Sequence, residues 1–474
     1  EHRFYLIQGD PGVGKTTLGL QFLLEGARRG EKGLYITLSE TREELLEVAA
    51  SHHWDLGQLS IFELSAIEEQ LSVESQNTLF HPAEVELNQL SKLLMEEVAR
   101  VNPRRLVFDS LSELRLLAQS PLRYRRQLLA LKQYFAGRSC TVLVMDDRTS
   151  ESSDREVQSI AHGVIRLDQM APEYGASRRR LSVVKVRGVA FRGGYHDYAI
   201  QMGGIQMFPR LRSSGTHSLD EGSASSGIEA LDMLSGGGLD RGTSTLFMGP
   251  PGAGKSTLAA QFAAAAACRG ERAAIYIFDE KIETYIGRAD ALGMKLSQHI
   301  AAERVCAAQV NPAELSPGEF AHRIQKTVEE EGVRLVVIDS LNGYLNAMPE
   351  ERSLTIQMHE LLAYLARRGV VTILTLAQTG LVGAMHSPVD VTYLADMVLV
   401  LRYFEFEGAV KQAISVIKKR SGDHERTIRE YKIESDGIRI GAPLTKFHGV
   451  LTGIPMFRGT GDSMMKVDVE NRSD

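Results

Sequence analysis

Short apolar runs recur along the chain at Phe4 to Ile7, Leu34 to Thr37, Leu106 to Phe108 and Thr141 to Met145, and again at Thr245 to Met248. Their length and their bracketing by polar turns predict buried strands. Between them lie longer helix-forming stretches such as Leu18 to Leu24 and Leu258 to Ala267. Strands alternating with helices in this way predict an α/β architecture, a mostly parallel sheet covered by helices. The alanine run 263 to 267 is read as helix propensity rather than chemistry.

The loops between the first strand and helix of each set are nearly the same. QGDPGVGKTTLGLQF begins at residue 8 and MGPPGAGKSTLAAQF at 248, and both satisfy G-x-x-x-x-G-K-[ST]. Glycines such as Gly12, Gly14, Gly252 and Gly254 let consecutive backbone N–H groups turn inward on an anion. Lys15 and Lys255 reach β- and γ-phosphates, and the hydroxyls of Thr16 and Ser256 ligate the Mg2+ that travels with a nucleotide, with Thr17 and Thr257 following on the helix. The predicted ligand is therefore a nucleotide with its Mg2+.

The repetition continues beyond the loops. Lys255 stands 240 residues after Lys15, and Glu280 stands 240 after Glu40. RRLVFDSLSEL carries Asp109 and VRLVVIDSLNGYL carries Asp339; LSVVKVRG places Lys185 and Arg187 where ISVIKKRS places Lys418 and Arg420. The expected domains are 1–212 and 226–455, joined by a Ser- and Gly-rich linker at 213–225 and followed by a mobile tail at 456–474. SGIEALDMLSGGGLDRG precedes the second loop and has no counterpart before the first, so further residues are expected upstream of residue 1.

Asp109 and Asp339 end apolar strands at the carboxyl edge of the sheet, where the phosphate loop also sits, and a carboxylate there holds magnesium, usually through water. Glu40 and Glu280 lie 25 residues after their loop lysines. A helix followed by a strand fits that interval and brings each glutamate to the same edge, in the position of a base or water-orienting group.

Composition narrows the setting without changing this picture. Of 474 residues 43% are hydrophobic and 24% charged, values of an ordinary globular chain long enough for two to three domains. No apolar run approaches a membrane span. A net charge of −6 argues against a surface devoted to nucleic acid. Cys140, Cys268 and Cys306 are odd in number and far apart, which suits neither a disulfide framework nor a metal site and points to the reducing cytoplasm. Arg123, Arg125 and Arg126, Arg178 to Arg180, Trp54, His52 and His53 are read as surface, interface or core residues.

GDPGVGKTT, LSET, VFDSLSEL, KVRG and FRGGYHDY, repeated as GPPGAGKST, FDEK, VIDSLNGYL and KKRSGDHERTIREY, resemble the KaiC family of tandem RecA-like ATPases over essentially the whole chain. The resemblance implies two RecA-like P-loop NTPase domains and a hexameric double ring, with ATP held between neighbouring subunits and regulatory proteins reading the state of the ring. It gives Glu40 and Glu280 the catalytic role, and it has Lys185, Arg187, Lys418 and Arg420 reach the neighbour's γ-phosphate, where cations supplied in trans stabilise transition-state charge.

Two departures bear on chemistry. The family's clock member has two adjacent glutamates in each ring; here the first of each pair is Ser39 or Asp279. HSPVDVTYLAD is shorter than the clock protein's phosphorylation segment, whose Ser-Thr pair falls on Thr392 and Tyr393, with Ser387 nearby. Autophosphorylation of the second ring, with Asp279 and Glu280 as proton acceptors, is expected to use this segment. A RecA-like DNA-dependent motor or recombinase is the competing reading, since it shares the cradle and the ring.

Overall fold

The computed structural model describes residues 2–64, 82–148, 157–171, 175–211, 222–346, 354–378, 392–451 and 456–457. Internal contacts divide the chain into two compact units, Glu1–Arg210 and Leu211–Asp474.

The first unit is built on β1 (Phe4–Gly9), β2 (Gly33–Thr37), β3 (Ser60–Glu63), β4 (Arg105–Asp109), β5 (Thr141–Asp146), β6 (Gly163–Met170), β7 (Arg178–Val186), β8 (Tyr195–Gln201) and β9 (Gly204–Phe208). They form one sheet in the order β3-β2-β4-β5-β1-β6-β7-β8-β9. From β3 to β6 all neighbours pair in parallel, and from β6 to β9 they pair antiparallel. The sheet is thus mixed, with an antiparallel extension beyond the parallel core.

Successive side chains on the central strands enter opposite layers, as the two-residue repeat of a strand requires. Leu6, Leu34, Ile36, Leu106, Phe108, Val142 and Val144 bury against the helices Pro82–Val101, Leu111–Ala118 and Pro121–Ala136 through residues such as Leu94, Leu114 and Leu128. Ile7, Tyr35, Val107, Leu143 and Met145 bury against the opposite layer, which includes Leu20, Leu23 and Leu45. Both faces are covered, so the parallel strands read as nearly continuous apolar runs. Gly19 lets the helix Lys15–Arg28 lie close on this face, since a Cβ there would run into Met145 Cε.

The second unit repeats the plan after a short antiparallel ribbon, β10 (Ser223–Ala224) with β11 (Leu239–Asp240). Its strands are β12 (Ser244–Gly249), β13 (Arg272–Ile277), β14 (Val305–Gln309), β15 (Val333–Asp339), β16 (Val371–Ala377), β17 (Met397–Phe406), β18 (Ala409–Lys419), β19 (Arg429–Glu434) and β20 (Gly437–Pro443). Their order, β14-β13-β15-β16-β12-β17-β18-β19-β20, is that of the first unit position for position. The alanine run lies buried in the helix Lys255–Cys268, where small side chains let the helix pack tightly on the sheet. Near the chain's end Met456–Phe457 pairs antiparallel with Phe447–His448. Among the described residues no helix is long and apolar enough to cross a membrane.

Candidate functional site

In both units a strand stops at glycine, the chain turns through left-handed glycines, and a helix starts at the lysine. Gly12 and Gly14 have φ of 85° and 94°, and Gly252 and Gly254 have 78° and 93°, backbone that glycine alone adopts freely. The helices carry no acidic residue in their first turn, so their N-terminal N–H groups face the loop without a competing carboxylate there. Lys15 Nζ donates to the carbonyls of Gly9 at 2.9 Å and Asp10 at 3.0 Å; Lys255 Nζ donates to those of Gly249 at 3.0 Å and Pro250 at 2.7 Å. Each loop is propped from below by a tyrosine hydroxyl, Tyr198 donating to Val13 O at 2.7 Å and Tyr431 to Gly254 O at 3.5 Å.

The first site gathers three of the expected residues around one hydroxyl. Thr16 Oγ1 donates to Glu40 Oε1 at 3.1 Å and lies 3.4 Å from Asp109 Oδ2. Tyr35 donates to that same Asp109 oxygen at 2.5 Å. Glu40 is aimed by its own turn, in which its N–H donates to Thr37 Oγ1 at 3.0 Å and Thr37 Oγ1 donates to its carbonyl at 2.6 Å. Burial raises the Asp109 carboxyl above the ordinary range, opposed by Tyr35 and Lys15. Burial, and then the Asp109 carboxylate, raises Glu40 as well. Glu40 Oε2 is buried without a protein partner among the described residues. A hydroxyl between two carboxylates, one with a buried oxygen in hand, is an oxygen-rich donor set that fits a hard divalent cation. Among the described residues no three His, Cys, Asp or Glu side chains cluster as a metal site of their own.

The second site has the same parts in a different state. Arg288 engages Glu280 with both terminal nitrogens, at 2.7 and 2.8 Å. Asp279 accepts a hydrogen bond from Ser340, and Asp339 accepts one from Thr375. Burial raises the Asp339 carboxyl against the influence of the Thr375 and Ser256 hydroxyls. Burial lowers the Lys255 ammonium to about 8, opposed by Asp339 and Asp279. A cavity of about 370 Å³ opens here, running from Gly252, Gly254 and Lys255 past Arg288 to Leu292 and Ile433. A polar end joined to an apolar end suits a nucleotide's phosphates and base.

The cation pairs lie elsewhere. β6 runs parallel to β1 with Gly163 beside Tyr5 and Leu167 beside Gly9, and β7 pairs Val186 with Gly163. Lys185 and Arg187 therefore stand at the edge where β1 enters the sheet, while their own domain's cradle stands where β1 leaves it. Four residues of strand alone separate the two edges by about 13 Å. Lys418 and Arg420 have the same relation to β12, because Met397 pairs with both Thr245 and Lys419. The strands end at Val186 and Lys419, so each arginine sits just past its strand rather than on it. Lys185 donates to Gln158 O and Arg187 to Ser159 O at 2.6 Å. Lys418 donates to Thr392 O and Ala395 O, both at 2.8 Å, and Arg420 to Tyr393 O at 2.7 Å and Asp396 Oδ1 at 3.1 Å. Thr392 is half-buried and Tyr393 exposed; Ser387 lies outside the described residues.

Sequence reasoning missed Tyr35, Arg288, Thr375 and Asp147, the last of which pairs with Lys15 at 2.7 Å. Arg288 carries the one signal that could have found it, a cation on the helix Ile282–Ala291 that follows Glu280. Of the residues read as structural, His52 has Nδ1 3.0 Å from Gln201 O and a ring centroid 4.7 Å from that of Trp54, the planes tilted by 36°, and Arg180 lies 3.8 Å from Asp197.

Comparison with known proteins agrees with the repeated architecture. The family described as "ATPase: KaiC" matches residues 1–212 and again 224–445. The circadian clock protein KaiC2 of Synechocystis sp. is 27% identical over 454 residues, spanning 94% of this chain and 79% of the relative. KaiC3 of the same organism is 24% identical over 461 residues, 96% of this chain and 91% of the relative. The circadian clock oscillator protein KaiC of Synechococcus elongatus is 25% identical over 468 residues, 96% of this chain and 88% of the relative.

Proposed function

The chain belongs to the KaiC family of ATPases, and from that premise we propose that both cradles bind ATP with Mg2+ and that the first hydrolyses it with Glu40 as the base. The observation that carries this reading is the convergence of Thr16, Glu40 and Asp109 beside Lys15. Thr16 and Asp109 would hold the metal, as Ser256 and Asp339 would in the second domain. Bound Mg2+ would neutralise charge on the phosphate oxygens. Glu40, raised by burial and by Asp109, accepts a proton from water more readily than a solvated glutamate does. Gly12, Gly14, Lys15 and Thr17, and their counterparts Gly252, Gly254, Lys255 and Thr257, position the phosphates with backbone N–H groups and charge.

The active unit in this reading is a homohexamer in which sites are shared between subunits. Support comes from the opposed sheet edges: Lys185 and Arg187 cannot serve the cradle of their own domain, but they are offered to a neighbour's, and Lys418 and Arg420 likewise. Turnover then depends on assembly. In the second ring the carbonyls of Thr392 and Tyr393 are held by those same cations, which would set the segment beside a neighbour's γ-phosphate. That placement supports autophosphorylation there, Thr392 first and Tyr393 second, with Asp279 and Glu280 taking the hydroxyl proton. The relatives are named as circadian clock proteins, and regulatory proteins that read the ring are part of the reading proposed for this chain.

Mixing tests the shared site. Arg187→Ala subunits and Lys15→Ala subunits, each weak alone, regain phosphate release when co-assembled, because a wild-type cradle then meets a wild-type arginine. Proven co-assembly without recovery would place each site within one subunit. Phosphopeptide mapping after incubation with ATP and Mg2+ tests the second ring: a hydrolysing hexamer with no phosphate on Thr392, Tyr393 or Ser387 would leave it an ATPase or a structural nucleotide site.

A further inference from the structure

The two loop lysines are not in the same company. Lys15 uses its three N–H groups on Gly9 O, Asp10 O and Asp147 Oδ1, the last at 2.7 Å. Lys255 makes the two carbonyl bonds and, among the described residues, has no carboxylate in the third place. The residue there is fixed by register. Asp147 N–H donates to Ser112 Oγ at 3.3 Å just past the end of β5, and Ala377 N–H donates to Asn342 Oδ1 at 2.7 Å at the end of β16. Ser112 and Asn342 each stand three residues after the strand-end aspartate, and Asp147 and Ala377 each stand 38 after it. Asp147 in the first domain is therefore Ala377 in the second.

We propose that Asp147 acts as a built-in anion at the first cradle, neutralising Lys15 and competing with the incoming triphosphate, so that the first domain binds nucleotide more weakly and releases it faster than the second. The inference rests on the reading that this cradle takes a nucleotide. Lys15 must pass its third N–H from Asp147 to phosphate oxygen, and the displaced carboxylate joins Glu40 and Asp109 in repelling the arriving charge. Asp147 has room to make that move: its side chain is one-third exposed while that of Lys15 is only 10% exposed. Asp146, the residue before it, is fully buried and held by Arg115 at 2.8 and 2.9 Å, so it takes no part in the exchange.

Asp147 is a positioning residue, and its role shows in affinity rather than in folding. In full-length chain carrying Lys255→Ala to silence the second cradle, binding of N-methylanthraniloyl-ATP with Mg2+ is measured with and without Asp147→Asn. Asparagine keeps the shape and the Ser112 contact while removing the charge. The dissociation constant falls by about tenfold, as the loss of a close anionic competitor implies, and the thermal midpoint stays in place. Equal or weaker binding by the Asp147→Asn chain overturns the inference and leaves the cradle's role intact. Binding by neither chain removes that role and the inference with it. The reciprocal change, Ala377→Asp in a Lys15→Ala chain, weakens the second site by a similar factor; unchanged affinity there would also contradict the proposal.

Discussion

Arg288 closes on both carboxylate oxygens of Glu280, at 2.7 and 2.8 Å, whereas Glu40 in the first domain turns one oxygen to Thr16. The residue 240 positions before Arg288 is Val48, so the first domain has no cation at that position to do the same. While Arg288 holds both oxygens, Glu280 is less open to a proton from water, so on the proposed reading the second domain is expected to be the slower hydrolase until that grip is released. Arg288→Ala in a chain carrying Lys15→Ala is expected to raise phosphate release on the order of tenfold, a part of the roughly 10²- to 10⁴-fold that a fully positioned base supplies. Turnover that falls or does not change would show that Arg288 serves the nucleotide rather than restraining Glu280.

Tyr35 supports Asp109, the proposed magnesium ligand of the first domain, from beneath, donating to it at 2.5 Å from a fully buried ring. Tyr35→Phe leaves a buried carboxylate short of a partner. The expected cost is about 1–3 kcal/mol, the penalty of a lost bond to a charged group. For a unit of this size that lowers the first thermal transition by roughly 2–12 °C. The Mg2+ concentration needed for half-maximal phosphate release rises in parallel. A transition and a Mg2+ requirement both equal to wild type would show that Asp109 does not depend on this hydroxyl.

Cys140 is 2% exposed and burial pushes its thiol up to about 12, against the opposing charges of Arg104 and Arg138. Its folded value lies above the ordinary 9.0, so its contribution to stability is complete below pH 9.0 and is lost as pH rises toward 12. Alkylation of the native protein at about pH 8 is expected to mark the exposed Cys268 and Cys306 and spare Cys140 until the first unit unfolds. Cys140→Ala flattens the alkaline loss of stability. Native labelling of Cys140 at the rate of Cys268 would contradict its burial.

The parts of the site that are written along the chain are legible in the sequence alone. The glycine loops, Lys15 with Thr16, and the strand-ending Asp109 and Asp339 are linear patterns whose residue types the phosphate chemistry requires. Glu40 and Glu280 stand out by their common register, yet register is silent on their states, because those depend on Arg288 and Val48 on the following helix. Tyr35 with Asp109 and Lys15 with Asp147 join residues 74 and 132 positions apart, neighbours only once the strands are ordered β2-β4-β5-β1. The antiparallel strands β6 to β9 are hidden in the sequence because their half-exposed faces lack the apolar runs of the parallel core. The pairing of β7 with β6 is what moves Lys185 and Arg187 to the far edge, and no spacing rule announces it.

Glu40 is proposed as the base of the first site, and one measurement bears on it directly. Full-length chain carrying Lys255→Ala is compared with the same chain carrying Glu40→Gln as well, in a single-turnover measurement of phosphate release from ATP with Mg2+. Release is expected to fall about a hundredfold or more, the share a positioned base supplies, while N-methylanthraniloyl-ATP still binds. Release at an undiminished rate with nucleotide bound would remove Glu40 from the chemistry.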